Sequence, residues 1–107
     1  MKVSIYPEKD SLEMCFEGST IKIFLIGNEV HIAEEVTYEV TTGEVLSKIQ
    51  IVIKDGKAYL QSPFGLNEIS APENIFKGIK AVLEEIKEKH KVLYDKFNSL
   101  IPTSTTS

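Results

Sequence analysis

Three side chains of this chain have the chemistry for proton transfer and fall where the apolar pattern would bury them: Glu34, Tyr38 and His90. A carboxylate, a phenol and an imidazole meeting in one cavity could serve as general acid and base. Glu34 is the single charge on an otherwise apolar strand face that also carries Tyr38 and Ser47. His90 interrupts the apolar stripe of a C-terminal helix. The opposing reading places Glu34 at a bend or open end of the sheet, and His90 where the helix leaves it. Buried charges are rare unless paired, so that reading is the stronger one.

The remaining reactive types carry less. His31 and His90 are too few and too far apart for a metal site, and His31 is expected to face solvent beside Phe24. Cys15 has the carboxylates of Glu13 and Glu17 as same-face neighbours and no base to activate it, so it reads as a structural thiol. No glycine pattern cradles a phosphate. No catalytic residue, metal or cofactor is assigned.

Composition narrows the partners. The chain has 107 residues and a net charge of −4, and every basic residue is Lys. An acidic chain without Arg is poorly equipped for phosphate contacts or bidentate base reading, so nucleic acid is not expected. No apolar run approaches a membrane span, and residues 1–10 lack the apolar core of a signal peptide. A single Cys fits a reducing compartment, so the expected location is the cytoplasm. Abundant Glu and Lys with only two Gln fit a thermophile, and the missing Arg fits a biased genome equally well.

The elements that must position these groups are an N-terminal β-meander, residues 1–62, and one long C-terminal helix, residues 70–100. Together they form a single α+β domain, 1–101, followed by a polar tail, 102–107. Leu12, Met14 and Phe16 alternate with Glu13, Cys15 and Glu17. A Gly18-Ser19 loop would set Phe16 opposite Ile21 and Leu12 opposite Leu25. Gly27-Asn28 sets Leu25 opposite Val30, and Asp55-Gly56, the strongest hairpin signal, sets Ile53 opposite Ala58. Between them, alternation runs unbroken from Val30 to Val40, which predicts one long, bent strand over 29–41. A Thr42-Gly43 loop then pairs Val40 with Val45. Each hairpin puts apolar on apolar, which predicts a curved antiparallel meander of six or seven strands with one buried face.

Ser70-Ala71-Pro72-Glu73 reads as a capping box that opens the helix. Apolar residues from Ile75 to Leu100 then mark one stripe. A run of about thirty residues spans roughly 45 Å, more than a domain of this size needs, so one end should project or meet a partner. Tyr94 and Phe97 near that end are interface candidates. The opposite face of the sheet carries Phe24, Ile26 and His31, a second candidate patch.

Two functions follow from different classes. The favoured one is a small non-enzymatic protein–protein interaction module that self-associates as a homodimer. Such a module could also be an acidic subunit or inhibitor docking on a basic partner. The alternative is a small-molecule carrier or enzyme. The order of elements resembles helix-grip folds and pleckstrin-homology-like barrels, which implies an apolar cavity between sheet and helix. Met14, Tyr38, Ile51, Leu60 and Val82 would line it, with Glu34 and His90 as its polar groups.

Overall fold

A computed structural model describes the backbone of residues 2–16, 19–40 and 43–102, with the side chains of all but 16 and 35–48. Seven antiparallel strands lie in chain order across one sheet. They are β1 (Lys2–Tyr6), β2 (Ser11–Phe16), β3 (Ser19–Ile26), β4 (Glu29–Val40), β5 (Gly43–Lys54), β6 (Lys57–Ser62) and β7 (Gly65–Glu68). Two helices follow, α1 (Glu73–Ile86) and α2 (Lys91–Asn98).

Alternation builds the sheet as expected. Leu12, Met14, Ile23, Val30, Ile53 and Ala58 share the inner face and are buried against the helices. The turns after β3 and β5 have the expected registers, Leu25↔Val30 and Ile53↔Ala58. Asp55 and Gly56 both take positive φ, 52° and 76°, as a type I′ hairpin turn requires.

Two other registers differ from expectation by two residues. Phe16 pairs with Ser19 and Leu12 with Ile23, while Val40 pairs with Gly43 and Val36 with Ser47. The loop residues themselves, 17–18 and 41–42, lie outside the described residues. The side-chain period of a strand is two, so a two-residue slip keeps every inner residue on the inner face. Hydrophobic pattern therefore does not distinguish the two registers.

The meander also continues past residue 62. β7 is an all-exposed edge strand with no apolar alternation to announce it. Its turn is built from Ser62, whose hydroxyl accepts the Phe64 N–H at 3.2 Å, and from Gly65 at φ 115°. Only glycine holds that backbone without strain.

The single long helix is corrected to two. Ile86 is the last buried residue of α1 and Leu93 the first of α2. Between them Lys87, Glu88 and Lys89 are exposed, so packing gives that stretch no reason to continue straight. His90 turns the chain in an extended conformation (φ −144°, ψ 75°). Its N–H closes α1 on the Ile86 carbonyl at 2.8 Å, and its own carbonyl receives the Tyr94 N–H at 2.9 Å. α2 then runs back along α1. Lys80 Nζ donates to Asn98 Oδ1 at 2.6 Å, and the Tyr94 hydroxyl lies 3.5 Å from Glu84 Oε1. The doubled-back pair lets both apolar stripes reach one core, so no long helix end projects.

The capping box is absent as well. Pro72, not Ser70, precedes the first helical residue, and no side chain caps it. The residue before a proline avoids the helical region, so Ala71 cannot extend the helix back to Ser70.

Candidate interaction surface

The proposed acid–base group is not assembled. Glu34 sits between Ile21 and Ile49 in the strand register, with the Ser19 hydroxyl 3.5 Å from its Oε1. Ile32, its neighbour on the same face, lines a groove with Asn74 and Ile75 of the first turn of α1. His90 follows the other end of that helix, where Ile86 and Lys89 approach Val3 and Ile5 of β1. A fourteen-residue helix spans about 21 Å, so α1 holds Glu34 and His90 apart. The side chain of Tyr38 lies outside the described residues. Among the described residues no group of three or more His, Cys, Asp and Glu could hold a metal ion. Cys15 is an exposed free thiol.

The surface candidates separate in the same way. Phe97 is wholly buried and Tyr94 nearly so, both in the core under the helices, so Phe97 presents nothing to a partner here. On the outer face, one rung runs Ser11–Phe24–His31–Val52–Tyr59–Glu68 across six strands. His31 is buried rather than solvent-facing. Its ring stacks on Phe24 with centroids 5.4 Å apart, and Val52 lies opposite it on the other side. Its Nε2 lies 3.1 Å from Glu29 Oε1, while Nδ1 is shielded and has no partner among the described residues. A carboxylate can only accept, so Nε2 is the donor in that contact. Lys54 Nζ covers the Tyr59 ring at 5.6 Å. Within the rung His31 and Val52 are buried while Phe24 and Tyr59 are half-buried, and Ile26 is the most exposed member of the candidate patch.

The space expected between sheet and helix takes the form of an open inner face, where Met14 and Val82 line a groove and Ile51 and Leu60 lie on the neighbouring rung. Along one rung, Leu12 and Ile23 are sealed, Ile32 and Ile51 are half-buried, and Leu60 is 44% exposed. On the next rung toward the β4–β5 loop, Met14 is buried and Ile49 is 47% exposed. Where cover thins, an open apolar groove of about 230 Å³ separates the sheet from α1. Met14, Ile21 and Ile32 form its floor, and Ile75, Ile79 and Val82 its wall. Gly78 lines it too, and a methyl group added there would meet nothing within 4 Å.

Strand length explains the gap. β4 and β5 have twelve residues each, β2 and β6 six, and β3 eight. β3 ends its ladder at Val36 and β6 at Ile51, so among the described residues the far part of β4 and β5 is a two-stranded arm. Ile49, the described inner-face residue where β5 enters that arm, is exposed. The signal is present in the sequence as twelve-residue alternation, which reads there as curvature rather than as overhang. In comparison with known proteins, no family model, curated protein or solved structure matches this chain.

Proposed function

We propose that this chain is a non-enzymatic interaction module that self-associates. The observation that supports this reading most is the inner face left open beyond α1, with Ile49 and Leu60 each nearly half exposed. Both belong to the face that elsewhere forms the core, so a partner would extend a core already begun. Enclosed-ligand chemistry has less support. The groove falls below the roughly 300 Å³ of ordinary small-molecule sites, and Glu34 and His90 do not converge on it.

The test is sedimentation equilibrium of the full chain at micromolar concentration. A dimer is expected, and Ile49→Glu should shift it to monomer while leaving the circular dichroism spectrum unchanged. A wild-type monomer at every concentration counts against self-association and leaves a heterologous partner, basic by charge complementarity with a chain of net charge −4.

A further inference from the structure

We propose that two copies of this chain join through the edge of β5, antiparallel and centred on Leu46, so that their sheets become one. This rests on the self-association reading and names its surface.

The edge is defined by the ladders. β6 accompanies β5 only from Ile51 to Lys54. From Gly43 to Gln50 β5 has no ladder partner on its β6 side among the described residues, although β6 itself runs on to Ser62 at the level of Gln50 and Ile49. The two-residue turn at Asp55-Gly56 fixes the phase, because the flanking pair Lys54↔Lys57 exchanges both hydrogen bonds. Alternation then directs the N–H and C=O groups of Gln50, Lys48, Leu46 and Glu44 away from β4. Such a row of backbone groups is a template for another strand, and no proline interrupts it. The other sheet edges differ. β1 has five residues and runs straight into Pro7, β7 has four, and β4 has four beyond the last rung it shares with β3.

Charge specifies both occupant and register. In the β4–β5 ladder Glu44 stands directly opposite Glu39, a like-charge pair, while Lys48 stands opposite Glu35. Like charges facing each other across a sheet are unfavourable unless a cation flanks them. Antiparallel pairing of two β5 edges about Leu46 sets Glu44 of each copy opposite Lys48 of the other, and Leu46 opposite its own counterpart. Both pairs are hydrogen-bonded positions in the phase above. The exposed Ile49 falls opposite the partner's Gly43, beside inner-face positions of the partner's arm. The edge is thus self-complementary in charge, hydrogen bonding and face, which singles out a second copy as the occupant.

The test uses the full chain with Cys15→Ser. Adding Leu46→Cys should give a disulfide-linked dimer under mild oxidation, since facing residues of an antiparallel pair lie within bridging distance. Adding Gln50→Cys instead should not, because the two positions would lie roughly 27 Å apart along the strands. By sedimentation, Glu44→Lys and Lys48→Glu should each weaken the dimer on the order of tenfold, and the double exchange should restore it. The exchange leaves one like and one opposite pair within each ladder, so rescue reports the contact between copies. A dimer with neither the Leu46→Cys bridge nor charge rescue overturns the edge and leaves self-association standing. A monomer throughout overturns both and makes Lys48 a guard against edge pairing.

Discussion

The two ends of the inner sheet face are built from the same kinds of residue and end up in different environments. At the end with the turns after β3 and β5, Val30, Ile53 and Ala58 are sealed. Ile101, just beyond α2, is buried there too. Lys96 pairs with Asp10 at 3.0 Å, and the Asp10 carbonyl takes the Leu25 N–H at 3.1 Å. At the other end, Ile49 and Leu60 are open. The difference teaches that alternation assigns a residue to a face, and that burial on that face depends on what lies above it.

The comparison breaks first at its closed end. Phe97→Ala removes the largest fully buried side chain among the described residues and should cost about 3–5 kcal/mol in urea unfolding. A loss under about 1 kcal/mol would mean that the helix layer does not seal that end.

A sharper form compares one substitution on one rung. Leu12→Ala should cost about 2–5 kcal/mol, while Leu60→Ala should cost less than about 1, because its side chain is already half in water. Equal losses under dissociating conditions would erase the distinction between the two ends.

Legibility divides along the same line. The face of nearly every strand residue is readable, because period-two alternation is local. Register is readable only where the loop is, at Gly27-Asn28 and Asp55-Gly56, and a two-residue slip elsewhere leaves no mark on the pattern. Phe24 beside His31 is readable from the Gly27-Asn28 register, but the burial of His31 is not, because it also needs Val52 from β5, whose register with β4 the pattern does not settle. Phe97 resembles a projecting end only while the helix is taken as continuous.

Smaller effects refine the helix layer and the outer rung. Lys80→Ala should cost about 1 kcal/mol by removing the half-buried link to Asn98 that holds α2 against α1. His31→Leu should change stability by less than about 0.5 kcal/mol, since it removes the unpartnered Nδ1 along with the hydrogen bond to Glu29, and the two effects oppose each other. A large destabilisation there would mean that the outer rung contributes to the fold beyond covering itself. Chemical denaturation with each variant at equal concentration measures both.

By itself the sequence determined the class: an antiparallel meander with one apolar face, followed by helix, in an acidic chain without Arg. These follow from near-neighbour physics, the alternation of a strand, the stripe of a helix and the turn preference of Asp-Gly. Only the tertiary structure decided that the helix folds in two at His90, that Glu34 and His90 stand at opposite ends of α1, and that β4 and β5 outrun the strands beside them. Each of those is a matter of lengths compared in space. A linear pattern does not contain that comparison, because the helix layer and the sheet meet only after the chain has folded.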